Sequence, residues 1–210
     1  EIAARLGAAV ANETRRIHVD GLAGLHPQLR LPLASLAFPV LRLRPRPEID
    51  AFLDVVHAAI HVDARVSLFE YCLGRLLLAQ LRESLDPSRH ARVGRAHPAR
   101  VRSEIATLLC VVAQHGHADP ADAQRAYLAG MQHILPRDHL PYLPREEGAL
   151  ALDAVWAPLD RLDPLAKEAL VEAVTATVAH DGRVTVAEAE LVRTVCGVLH
   201  CPLPPLLARG

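Results

Sequence analysis

Residues 179–190, "AHDGRVTVAEAE", space their polar groups in a way that suits a cation loop. Asp181, Gly182, Val184 and Glu188 fall at the fifth, sixth, eighth and twelfth positions of an EF-hand-like loop. Asp63 and Glu70 occupy the equivalent fifth and twelfth positions earlier in the chain. Calcium needs six to eight oxygens, and the first and third positions of such a loop supply carboxylates. Here those positions are Thr177 and Ala179 in the later loop, and Ala59 and His61 in the earlier one. Asp181, Glu188, Asp63 and Glu70 are therefore weak metal candidates, and the expected metal set is none. The competing reading is a helix–turn–helix in which the same residues are caps. Asp-x-Arg-Val precedes Ser67 or Thr185, and a glutamate follows three residues later, so "SLFE" and "TVAE" are capping boxes. Asp63 and Asp181 are placed to accept from backbone N–H groups two residues on. Gly182 permits the left-handed turn that Ala64 adopts less easily.

Other ligand-bearing clusters are read in the same way. His57 and His61 stand four apart on one helix face, without a third ligand nearby in sequence. "HGH" at 115–117, followed by Asp119 and Pro120, reads as a helix stop and a helix start. Cys196, His200 and Cys201 carry good zinc-ligand types, but Cys196 matches an apolar helix face and Pro202 breaks the chain at once. Ser35, Ser67, Ser84, Ser88 and Ser103 lack a nucleophile-elbow context. No phosphate-cradling glycine loop is present. Glu168, Glu172, Glu188 and Glu190 read as helix-surface charges. The expectation is a non-enzymatic chain without a cofactor.

The elements that position these residues are helices. Apolar residues recur every three or four positions, as in Ile49, Phe52, Leu53, Val56 and Ile60, and strand signals are almost absent. Hydrophobic residues make up 51% of the 210, which argues for a packed globule, and aromatics only 3%, so Ala, Leu and Val must fill the core through close helix packing. Net charge is −1, which leaves no global field for nucleic acid. Four cysteines without paired spacing fit a reducing compartment. No apolar run reaches the length of a membrane span.

A shift of 118 residues aligns 52–77 with 170–195 without a gap, and eight of the 26 pairs are identical. Asp63/Asp181, Arg65/Arg183, Val66/Val184 and Glu70/Glu188 are among them. Phe38 falls against Trp156 and Leu41 against Leu159, so the preceding helices keep register. The pattern predicts an all-α fold: two copied three-helix units around a central helical hairpin. The expected organisation is an N-terminal helix and linker (1–26), a first unit (27–85), a basic loop with hairpin and Pro-rich connector (86–146), and a second unit with its tail (147–210). Helices are expected near 1–16, 28–43 (bent at Pro39), 48–61, 67–84, 99–114, 120–134, 147–160, 164–180 and 185–199.

The Asp-Gly-x-Val-x-x-x-Glu pattern between two helices resembles the TerB-like (tellurite-resistance) helical domain. "LPLASLAFPVLRLRPRPEIDAFL", "VDARVSLFEYCLGRLL", "LLCVVAQHGHADPADAQRAYLAGM" and "HDGRVTVAEAELVRTVCGVLHCPLPPLL" are similar to the C-terminal region of large bacterial membrane metalloproteases related to CAAX prenyl endopeptidases. The resemblance covers roughly residues 30–207. It implies an upstream membrane-bound zinc peptidase domain with a His-Glu-x-x-His helix, which is not in this chain, so no catalytic residue carries over. Because the chain opens at Glu1, it is expected to be a fragment or processed product. On this resemblance the expected role is a non-catalytic accessory, regulatory or protein-interaction domain of such a protease, on the cytoplasmic side of the inner membrane. The alternative is a divalent-metal-sensing stress module of the TerB type. The expected partner is the upstream protease domain or another protein. Arg89, Arg92, Arg95, Arg100 and Arg102 form a basic stretch without interleaved aromatics, a poor nucleic-acid surface; in a membrane-anchored parent it would lie near anionic lipid, and the competing reading is a solvated loop without a partner.

Overall fold

The computed structural model describes residues 2–60, 66–85 and 93–204, and the chain divides into two compact units, 1–90 and 91–210. It is all-α, with no strand among the described residues.

The first unit contains α1 (Ile2–Leu6), α2 (Ala8–Ile17) continuing into a π-turn at His18–Leu22, α3 (Pro27–Leu41), α4 (Arg46–Ile60) and α5 (Leu68–Leu85). α3 starts with proline at its first position, where a missing N–H costs nothing. His26 caps it through Nδ1, which accepts from the Gln28 N–H at 3.3 Å. Pro32 and Pro39 both lie inside it. Each removes a backbone donor, so the carbonyls one turn earlier lose their helical partner. α3 and α4 pack on α5 through Leu31, Phe38, Ile49, Val55, Cys72, Leu76 and Leu81, all buried.

The second unit contains α6 (Arg102–Gly116), α7 (Pro120–Ile134), a 3₁₀ segment (Gly148–Ala154), α8 (Trp156–Asp160), α9 (Pro164–Val178) and α10 (Val186–Leu199). α7 and α9 each carry proline at the first position and an aspartate cap: Asp119 accepts from Ala121 N–H (2.7 Å), Asp163 from Ala166 N–H (2.9 Å). The hairpin of α6 and α7 shares this unit's core with α9 and α10. Small residues let α7 and α9 approach closely. A Cβ added at Gly130 would overlap the Thr177 hydroxyl and come within 2.9 Å of the Ala173 carbonyl oxygen. Ala123 and Ala126, both buried, extend the same side of α7. Leu108, Leu109, Tyr127, Trp156, Leu170 and Leu191 fill the remainder, each fully buried. Side chains of this size contribute roughly 1.5–3 kcal/mol each when removed from water.

Three of the helix boundaries are spaced as the 118-residue shift would place them. α9 begins and ends 118 residues after α4, and α10 begins 118 residues after α5. The counterpart of α3 differs. The helix expected near 147–160 is a 3₁₀ segment followed by one turn of α-helix. Its buried residues Ala149, Leu152 and Val155 recur every third position, which lines up one face of a 3₁₀ coil and not of an α-helix. Gly148 enters this segment in the left-handed region, with φ 56°.

Candidate functional site

The turn at 179–188 is built as a cap. Thr185 Oγ1 accepts from the Glu188 N–H at 3.2 Å, and Glu188 Oε2 accepts from the Thr185 N–H at 2.8 Å. The Thr185 hydroxyl also donates to the same oxygen at 2.8 Å. Asp181 Oδ1 accepts from the Arg183 N–H at 2.9 Å, and Gly182 takes φ 76°. The earlier box repeats this chemistry: Glu70 Oε2 accepts from Ser67 N–H (2.9 Å) and Ser67 Oγ from Glu70 N–H (3.3 Å). Asp63 and His61 lie outside the described residues. Thr177, at the first position of the calcium-loop alignment, turns into the core and donates to the Ala173 carbonyl at 3.0 Å. Asp181 and Glu188 thus each bind backbone amides of their own turn.

Glu188 is not the surface charge that helix spacing suggests; it is 1% exposed, and Glu190 is also buried. Its Oε2 is satisfied by Thr185 of its own turn, and its Oε1 faces a distant part of the sequence. The end of α6 brings "HGH" against it. His117 Nδ1 lies 3.9 Å from Glu188 Oε1, with the two side chains 3% and 1% exposed. The same Nδ1 is 3.2 Å from the Ala113 carbonyl oxygen, the distance of an N–H···O bond in the tautomer protonated there. Gly116 is where the two segments touch: a Cβ there would overlap Glu188 Oε1 and stand 2.7 Å from its Cδ and 2.8 Å from its Cγ. The His180 ring, at the start of the turn, is 6.4 Å from that of His117, centroid to centroid. Glu188 Oε1, His117 Nε2 and His115 Nε2 are buried without a hydrogen-bond partner among the described residues. Burial lowers the pKa of the His115 imidazole.

The two stretches singled out separately as candidate ligand loops therefore meet in space. Among the described residues, however, no three His, Cys, Asp or Glu side chains converge as a metal site. The His117–Glu188 pair is sealed from solvent. What it does is join the C-terminus of α6 to the N-terminal cap of α10.

The remaining candidates are dispersed. His57 is exposed on α4. Cys196 is a core residue, 3% exposed, whose thiol is pushed up to about 12 by burial first and by Cys201 second. His200 ends α10 in the left-handed region, φ 59°, and is exposed. Cys201 donates its N–H to the Cys196 carbonyl at 2.9 Å. Lys167 closes this corner, donating to Asp160 (2.6 Å) and to the Leu199 carbonyl (3.1 Å). Glu172 is exposed and lies 3.0 Å from His133 Nε2. Glu168 is exposed. Arg89 and Arg92 lie outside the described residues; Arg95, Arg100 and Arg102 are exposed, and Arg102 is 3.7 Å from Asp138.

A second feature is a surface. α3 is apolar on both sides, a pattern that belongs to a helix covered all round. Leu31 and Phe38 are buried against its own unit, at 0% and 3% exposure. Leu29, Leu33, Leu36 and Val40, with Leu43 in the turn just beyond, stand on the other side at 41–84% exposure. α3 ends at Leu41, and the Leu43 N–H donates to the Val40 carbonyl, three residues back, at 3.3 Å in the turn that follows. The sequence carries this signal as alternating four- and three-residue steps along 29–43. No protein-family model matches the chain, and neither the curated proteins nor the solved structures contain a match to it.

Proposed function

We propose that this chain is a non-catalytic, helical protein-interaction module that regulates or positions a bacterial membrane-bound zinc metalloendopeptidase, as its C-terminal part. The exposed apolar row on α3 carries the interaction half of this reading, since five large aliphatic side chains in one line are costly to leave in water. The resemblance of "VDARVSLFEYCLGRLL" and "HDGRVTVAEAELVRTVCGVLHCPLPPLL" to the C-terminal region of such proteases supports the other half. In this reading the module lies on the cytoplasmic side of the inner membrane, with the partner an upstream protease domain or a second protein. The basic stretch containing Arg95, Arg100 and Arg102 then lies where anionic headgroups attract it, at about 1 kcal/mol per basic residue near the surface.

The test is the reading frame upstream of Glu1 together with the whole polypeptide's proteolysis. The reading requires a His-Glu-x-x-His helix and hydrophobic spans upstream, and a change in substrate cleavage when residues 1–210 are excised. A frame without those features, or cleavage indifferent to excision, refutes the protease assignment.

A further inference from the structure

We propose that the outer row of α3 is a docking seam for an acidic amphipathic helix of a partner protein. The proposal rests on the interaction-module reading and adds the chemistry of the partner. Leu29, Leu33, Leu36, Val40 and Leu43 step by four, three, four and three residues. That is the a/d repeat of a two-helix seam, with Leu29, Leu36 and Leu43 at d and Leu33 and Val40 at a. Within α3 the row from Leu29 to Val40 runs about 16 Å at 1.5 Å per residue, and Leu43 follows in the turn beyond it. The positions following each d residue are Arg30, Ala37 and Arg44. These flank the seam where coiled-coil partners place complementary charge.

Charge decides among possible occupants. Residues 21–47 include Arg30, Arg42, Arg44 and Arg46 and no acidic residue. Arg44 has Glu48, and Arg46 has Asp50, each 3.9 Å away, with all four side chains more than half exposed, so water screens both pairs. Arg42 reaches Gln80, a neutral group, at 3.4 Å. A second copy of this chain fits poorly. Antiparallel pairing sets Arg30 against Arg44 of the other copy, and parallel pairing sets Arg44 beside Pro39 of the other copy, which offers no acidic partner. An anionic lipid surface satisfies the charge but not the shape. Interfacial helices place Phe or Trp on the lipid side and present a broad apolar face. Here Phe38 points inward, and the exposed row is a narrow a/d line of Leu and Val. An amphipathic helix with Glu beside its own a/d row meets both requirements.

Fluorescence anisotropy of two labelled synthetic peptides against the 210-residue chain tests this. Each peptide is roughly 21 residues, three heptads with Leu at d and Val at a; one has Glu at e and g, the other Lys. The Glu peptide is expected to bind at least about tenfold more tightly than the Lys peptide, and less tightly as NaCl rises from about 50 to about 500 mM. Leu36→Asp, at a position 76% exposed and thus harmless to folding, is expected to remove that binding. Arg30→Glu with Arg44→Glu is expected to reverse the preference toward the Lys peptide, an effect that a merely sticky patch does not show. Equal binding of both peptides, or binding unaffected by Leu36→Asp, overturns the inference. Co-sedimentation with phosphatidylserine vesicles that Leu36→Asp abolishes, without Glu-peptide binding, replaces it with a lipid surface. Self-association abolished by the same variant replaces it with a second copy. Preference for the Lys peptide overturns the charge assignment but leaves the interaction reading standing; no response to Leu36→Asp in any of these assays removes both.

Discussion

Replacing Gly116 by alanine should destabilise the second unit, although the same change in a helix normally helps. Alanine is favoured over glycine by about 0.5–1 kcal/mol in a helix interior. Gly116 is the last residue of α6, and its missing Cβ leaves room for Glu188. A methyl there overlaps Oε1 and stands 2.7 Å from Cδ, so the carboxylate must leave its cap. Losing the capping box costs about 1 kcal/mol. Displacing atoms in a packed interior costs about 1–3 kcal/mol more. The two effects exceed the gain in propensity, which leaves Gly116→Ala about 2 kcal/mol less stable than the parent. In a Glu188→Ala background the three atoms nearest to the added methyl are gone, and the same substitution should be neutral or stabilising by up to about 1 kcal/mol. The predicted coupling is therefore about 2–3 kcal/mol. Urea unfolding followed by tryptophan fluorescence measures it cleanly. Trp156 is the chain's one tryptophan, is 1% exposed and lies in the second unit, so it reports that unit alone. A Gly116→Ala protein as stable as the parent, or equal losses in both backgrounds, would refute the interlock between α6 and α10.

Cys196, with its thiol pushed up to about 12, should react with a disulfide reagent at pH 8 only when the second unit opens. Its modification rate should therefore follow urea unfolding; fast labelling of the native protein would contradict its place in the core. His115 gives a pH dependence. Burial holds its folded pKa below the ordinary 6.5, so the unfolded chain binds the proton more readily. The stability it contributes is complete above about pH 6.5 and declines as pH falls through the lowered folded value. His115→Gln should flatten the fall in urea midpoint between pH 7 and pH 5, and an unchanged slope would count against this.

Helix positions were legible in the sequence because local rules set them. Proline at the first turn of α3, α7 and α9, and caps at Asp119, Asp163 and Thr185, act within a few residues of where they stand. The Asp181 turn and the two capping boxes followed from the same short-range chemistry. What spacing could not reveal depends on contacts between distant segments. Glu188 reads as a surface charge until His117 is brought to it across 71 positions of chain. Gly116 reads as a helix stop until its closeness to Glu188 is known. α3 was harder still: Leu29, Leu33, Leu36 and Val40 have the composition of core residues, and only the fold shows which apolar side of the helix its own unit leaves uncovered. The helix expected near 147–160 rests on aligning Phe38 with Trp156 and Leu41 with Leu159, and that alignment says nothing of 148–154, which winds as a 3₁₀ segment.

The central claim is that Asp181 and Glu188 tie backbone amides at a helix bend, leaving the chain to act through its surface. Isothermal titration of the 210-residue chain with Ca²⁺ and with Zn²⁺ tests it most directly. The account predicts no micromolar binding of either ion, and no change in that result for Asp181→Ala. Stoichiometric micromolar binding that Asp181→Ala or Glu188→Gln abolishes would contradict it and establish a cation-sensing loop instead.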